Sequence, residues 1–182
     1  YVLMTMLHET AWHDGLGGPI SGWQHNYAGH LKQAMIYAEA ARWADGQYAA
    51  TTAAYPDDID NDGYPEVVVH NDRLLGVFEA TGGRLTNLFV KGPGYVDTAI
   101  GIDNAYWPGT TADFNDANHV AAFSDVGPDY QHQRYDLTVS DGDGADGAVT
   151  LRAEYQEVSK EITLRTGEPW LEAVYRVGPG QH

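Results

Sequence analysis

Seven strand-like runs with period-two patterning, each bounded by a turn signal, constrain the fold of this chain more than any other feature. They are EVVVH from Glu66, RLLGVFEA from Arg73, GRLTNLFV from Gly83, RYDLTVS from Arg134, AVTLRAEY from Ala148, VSKEITLR from Val158 and WLEAVYRV from Trp170. Side chains of a strand point alternately to opposite faces, so such runs predict strands with at least one buried face. The joints are Asn71-Asp72, Thr81-Gly82, DGDGADG from Asp141, Gln156-Glu157 and TGEP from Thr166. Connections this short join antiparallel neighbours in a meander. Leu75, Val77, Leu85, Leu88, Leu151, Ile162, Leu164 and Val174 are the expected core positions. Between the two groups of runs, residues 91–130 hold Trp107-Pro108-Gly109 and many Asp and Asn, and read as loops.

One helix precedes the strands, in SGWQHNYAGHLKQAMIYAEAARWADG from Ser21. Ser21 and Gln24 have capping-box spacing, each side chain able to accept or satisfy a first-turn backbone donor, and Asp45-Gly46 stops the helix. Tyr27, Leu31, Ala34, Ala38 and Ala41 recur at helical spacing and form the expected apolar stripe. His25 and His30 lack a partner at ligand spacing and read as surface or packing histidines. An alanine and threonine connector follows. This order implies a mainly β fold, an antiparallel β-sandwich over 56–182 preceded by an α-helical segment over 1–55.

Charge narrows the partners. With 26 acidic and 10 basic residues the net charge is −16, which repels phosphate backbones and anionic lipid, so neither nucleic acid nor membrane is an expected partner. The chain has no cysteine, which leaves no disulfide or thiolate chemistry and fits an extracellular or cell-surface location.

The opening run LHETAWHDG places His8, Glu9, Trp12, His13 and Asp14 close together. A zinc protease helix needs two histidines four apart, whereas these are five apart and turn about 140° from one another on a helix. An apolar run followed by a polar turn, closed by Gly15 to Pro19, describes the stretch better.

The strongest local signal is DIDNDGYPEVVV. Asp58, Asp60 and Asp62 alternate, Gly63 permits a left-handed turn, the Tyr64 carbonyl follows, and Glu66 completes an oxygen set suited to Ca2+. The EF-hand's position 12 falls here on Val69, so the loop is of a different kind and resembles the calcium loops of integrin-type propeller repeats. A propeller repeats the motif in each blade, and one copy is present. A solvated acidic turn is the plainer alternative. Close carboxylate pairs cost on the order of 1 kcal/mol each even in water, a cost that a bound cation removes.

Two stretches, NDRLLGVFEATGGRLTNLFV and EVSKEITLRTGEPWLEAVYRV, together resemble the galactose mutarotase-like supersandwich of many glycoside hydrolases, on Asn71, the Gly82-Gly83 turn, and Lys160 on a strand beside one ending in Tyr175. The opening MTMLHETAWHDG and the helix resemble the helical part that follows the barrel in glycoside hydrolase family 57, enzymes of α-glucans. The resemblance implies a retaining mechanism with a glutamate nucleophile and an aspartate acid/base, both on a barrel. No carboxylate pair here matches that machinery, so no catalytic residue is assigned. His8, Glu9, Trp12, His13 and Trp23 are the candidates for lining a sugar site, indole stacking on sugar faces and imidazole or carboxylate meeting hydroxyls; packing against neighbours is the alternative for both tryptophans.

Two functions follow as expectations. One is the C-terminal portion of a carbohydrate-active hydrolase, stabilising a catalytic domain; the other is a non-catalytic, calcium-stabilised module that binds polysaccharide or docks partners, with Tyr95, Tyr106, Trp107 and Trp170 as an aromatic platform. The apolar opening YVLMTML, a helix without a second helix to meet, and a resemblance that stops partway through the supersandwich lead us to expect completion by an upstream catalytic segment or self-association with another copy.

Overall fold

A computed structural model describes residues 22–49, 51–59, 61, 63–101, 121–125, 130, 133–140 and 144–178, with side chains from residue 33 onward. The chain is mainly β. Helix α1 (Gly22–Ala44) is followed by β1 (Ala53–Asp57), β2 (Glu66–His70), β3 (Leu74–Glu79), β4 (Arg84–Gly92), β5 (Tyr95–Ile100), β6 (Asp136–Ser140), β7 (Ala148–Tyr155), β8 (Val158–Arg165) and β9 (Leu171–Val177). They form two antiparallel sheets, one in the order β1-β2-β3-β4-β5 and the other β6-β7-β8-β9. Every neighbour in a sheet is also a neighbour in sequence, as the short joints predict for β2 to β4 and for β6 to β9.

Those joints take the conformations their residues favour. Gly82 and Gly83 both have positive φ (71° and 53°) in the β3–β4 hairpin, where a Cβ on Gly83 would meet the Tyr135 ring at 2.8 Å. Gln156-Glu157 alone joins β7 to β8, Gln156 adopting φ 51°. The described part of DGDGADG turns between β6 and β7 through the Gly147 N–H to Gly144 carbonyl bond.

The two sheets share one core. Ala54, Val67, Val69, Leu74, Phe78 and Leu85 of the first meet Val149, Leu151, Ile162 and Leu164 of the second. On the opposite face of the first sheet, Val68, Leu75, Val77 and Phe89 pack with Ile36, Ala40 and Trp43 of α1. Strands β2 to β4 are thus covered on both faces, which explains why EVVVH is buried throughout. Each large apolar side chain so enclosed contributes roughly 1.5–3 kcal/mol. Trp43 also donates from Nε1 to the Asn71 carbonyl (2.7 Å), and Lys91 Nζ donates to the Ala44 carbonyl at the helix end (2.6 Å).

Asn71 is the joint between the sheets. Fully buried, it donates from Nδ2 to the carbonyls of Arg165 (2.6 Å) and Glu168 (2.8 Å), while Oδ1 accepts from the N–H groups of Arg73 and Leu74. A buried amide with all its capacity used fixes one geometry.

Four expectations are corrected. The described part of the helix stripe is out of phase: Ala34, Ala38 and Ala41 are exposed and the buried face is Ile36, Ala40 and Trp43, while the side chains of Tyr27 and Leu31 lie outside the described residues. The connector before the acidic loop contains a strand, β1, and the supposed loop region opens with another, β5. Val174 is not core; it pairs with Glu161 on the outer face and is 40% exposed. The remaining expected core positions are buried, with Leu88 partly so. Ser21 lies outside the described residues.

Candidate functional site

The acidic loop leaves β1 at Asp57 and returns at Glu66, and these two residues are paired in the sheet register. Between them the chain reverses with Asn61 at φ 59° and Gly63 at φ 88°, the left-handed turn expected of that glycine. Asp58 accepts the Gly63 N–H on Oδ2 (3.0 Å), its carbonyl accepts the Asn61 N–H (3.3 Å), and the buried Glu66 accepts the Ile59 N–H on Oε2 (3.1 Å). The two carboxylates therefore organise the loop backbone. Carboxylate and carbonyl oxygens are the donor type a hard cation takes. Asp60 and Asp62 lie outside the described residues, and no cluster of three or more metal-ligating side chains is assembled among those described.

Beside this loop a shallow groove of about 170 Å³ is lined by Pro56, Pro65, Ala80, Arg134, Asp136 and Leu137, among others. Tyr64 stands at its approach, 60% exposed, with the Arg134 guanidinium 4.7 Å from its ring centroid. The Arg134 guanidinium and the Asp136 carboxylate in the groove, with the exposed Tyr64 ring beside them, are groups able to hydrogen-bond and stack on a polyhydroxylated ligand.

A second polar cluster went unrecognised in the sequence. Lys160 is fully buried, yet its Nζ donates to the carbonyls of Gly82 (2.7 Å), Gly83 (3.1 Å) and Phe123 (2.6 Å) and pairs with Asp125 Oδ2 at 2.7 Å. Tyr135 donates to the same carboxylate (2.5 Å) and its ring lies 4.5 Å from the ammonium. Burial pulls the lysine pKa down and Asp125 opposes it; burial and the Asp125 contact push the Tyr135 hydroxyl up. This ammonium is enclosed by its own chain, so it fastens the β3–β4 hairpin and residues 123–125 to the second sheet. Alternation alone marks position 160 as inward-facing, and that was the available signal.

His70 lies between the helix and the first sheet, with its ring 4.6 Å from that of Tyr48 and 6.1 Å from that of Tyr55. Burial holds its pKa at about 4, and Nδ1 has no hydrogen-bond partner among the described residues. Tyr48 in turn donates to Glu39 of α1 at 2.6 Å.

Of the residues expected to line a sugar site, His8, Glu9, Trp12 and His13 lie outside the described residues, and Trp23 is in α1 with its side chain outside them. Tyr106 and Trp107 also lie outside. Tyr95, at the start of β5, and Trp170, just before β9, are each more than half exposed. No described helix is long and apolar enough to cross a membrane. Comparison of the chain with family models, curated proteins and solved structures returns no match.

Proposed function

We propose that this chain is the helix-and-sandwich portion of a glycoside hydrolase family 57-like enzyme acting on α-glucan-type polysaccharide. In this reading the two sheets form a mutarotase-like supersandwich that steadies a catalytic segment supplied by another part of the polypeptide. The observation that supports it is the shared core of Ile36, Ala40 and Trp43 with the first sheet, which joins helix and sheets in the order the resemblance implies. Release of reducing sugar from starch and pullulan tests it, using the chain alone and together with its upstream polypeptide. Activity in the combined sample only is the expected result; activity of neither, or of the chain alone, overturns it.

The Tyr64–Arg134 groove favours a second reading, a calcium-stabilised carbohydrate-binding module. Maltoheptaose should then bind in calorimetry, and Tyr64→Ala should weaken binding by about 1 kcal/mol or more, the scale of a lost aromatic contact. No heat with the native chain removes this reading. Calcium would be held by Asp58, Asp60, Asp62, the Tyr64 carbonyl and Glu66, raising stability by about 2.7 kcal/mol at a hundredfold excess over its Kd. The measurement is the melting temperature with calcium and with excess chelator. Asp60→Ala should abolish the difference; equal melting temperatures of the native chain in both buffers dispose of the ion.

A further inference from the structure

Strand β9 ends the second sheet and pairs, among the described residues, only with β8. The other sheet edges carry devices that discourage strand addition. Strand β1 contains Pro56, β5 joins its neighbour through a register shift between Leu88 and Phe89, and β6 has only five residues. Seven residues long, in unbroken register, β9 has neither proline nor lysine. Its exposed apolar side chains include Tyr175 and Val177 on the face shared with the core, at 42% and 55%, and Val174 on the outer face.

The direction of the backbone groups that β8 does not use, unpaired among the described residues, is fixed. Gly178 N–H donates to the Glu157 carbonyl (3.0 Å) one step beyond the Val158–Val177 pair. Bonded and non-bonded pairs alternate in an antiparallel ladder, so Glu172, Val174 and Arg176 turn their backbone toward β8. Leu171, Ala173, Tyr175 and Val177 turn theirs to the open edge.

We propose that β9 is a self-docking edge, which pairs antiparallel with β9 of a second copy about a two-fold axis at Val174 and so joins two four-stranded sheets into one. The sequence LEAVYRV is self-complementary under that rotation. Glu172 faces the second copy's Arg176, small Ala173 faces large Tyr175, Leu171 faces Val177, and Val174 faces itself. Within one chain Arg165 already meets Glu172 at 3.4 Å and Arg176 meets Glu161 at 3.3 Å. Pairing of two copies extends these contacts into a row of alternating charge across the junction, where opposite charges stabilise and like charges destabilise a cross-strand pair. Moving the axis to Ala173 or Tyr175, the nearest alternatives with matching edges, sets a charged residue against Val174. That charge pattern selects a second copy over an unrelated strand, and the symmetric contact closes on itself rather than propagating.

Sedimentation of the full chain over a range of concentrations should show a reversible dimer of the 19.9 kDa chain. Arg176→Glu and Glu172→Arg should each weaken dimerisation about tenfold or more, the double exchange should restore it, and Ala173→Pro, which removes an outward N–H, should abolish it. Circular dichroism and melting curves establish that each variant is folded. The absence of native cysteine allows a direct geometric test. A non-bonded pair holds its Cα atoms about 4.5 Å apart, within disulfide reach, so Val174→Cys should give a covalent dimer under mild oxidation. The same substitution at exposed Val96 should not. A native chain that stays monomeric at about 100 μM and a Val174→Cys variant that stays unlinked overturn the proposal, as does a dimer indifferent to Ala173→Pro and to the charge exchanges.

Discussion

At the scale of single residues, two buried polar side chains make opposite demands. Lys160 is enclosed with its charge answered by three carbonyls and a carboxylate. Removing one partner from such a pair leaves the rest uncompensated, so Lys160→Met should cost about 3–5 kcal/mol in chemical denaturation, and adding Asp125→Leu should recover part of it. A cost within about 0.5 kcal/mol would mean that the pair contributes no stability. His70 is enclosed in its neutral form. Its folded pKa of about 4 lies below the ordinary 6.5, so between those values the unfolded chain binds more protons, and stability falls as pH is lowered through that window. The full effect is on the order of 3 kcal/mol. Carboxyl groups in general bind protons over part of the same range, so the informative quantity is the difference between the native chain and His70→Leu. The variant should lose less stability from pH 6.5 to 4; parallel curves would show that protonation of His70 is not resisted.

Elements were legible in the sequence where the local signal and the tertiary demand agree. Strands β2, β3, β4 and β6 to β9 coincide closely with the period-two runs, because turn chemistry fixes where each must end. Strands β1 and β5 were not legible. The first is alanine-rich and short, and the second is largely exposed, so neither carries the apolar contrast that marks a strand. The end of helix α1 is legible at Asp45-Gly46 but its buried face is not, since small alanines surround it and the two bulky residues Ile36 and Trp43 decide its orientation. Enlarging the enclosed Ala40 to Leu should therefore cost about 1–3 kcal/mol, and Ala38→Leu on the exposed side should stay within about 0.5 kcal/mol. Equal effects at the two positions would return the helix to the stripe first expected. Of the acidic loop, the reversal at Gly63 was legible from spacing. The use of Asp58 and Glu66 to hold backbone N–H groups was not, because oxygen spacing alone does not distinguish a ligand from a cap.

On the scale of the whole molecule, a charge of −16 on each copy opposes any association of like chains. Exposed ion pairs such as Arg165–Glu172 give only about 0–1 kcal/mol each. Screening should therefore relieve more repulsion than it removes attraction, and dimerisation through β9 should tighten as salt rises from about 0.01 to 0.15 M, where the Debye length falls from about 30 to 8 Å. Sedimentation across that series checks this, and weakening with salt would place the balance with the ion pairs. The sheet order has a further consequence, in time rather than in energy. Each sheet is a run of hairpins closed by neighbours in sequence, whereas the Lys160 fastening spans 77 and 78 residues to Gly83 and Gly82. Closing so long a separation costs more chain entropy than closing a hairpin, and that cost is met only once the sheets hold both ends in place, so the fastening should set after both sheets have formed. A contact made that late is absent from the folding barrier and must be broken on the way out. Lys160 then acts as a latch on the finished molecule, and its loss shortens the lifetime of the native state while leaving the rate of reaching it nearly unchanged.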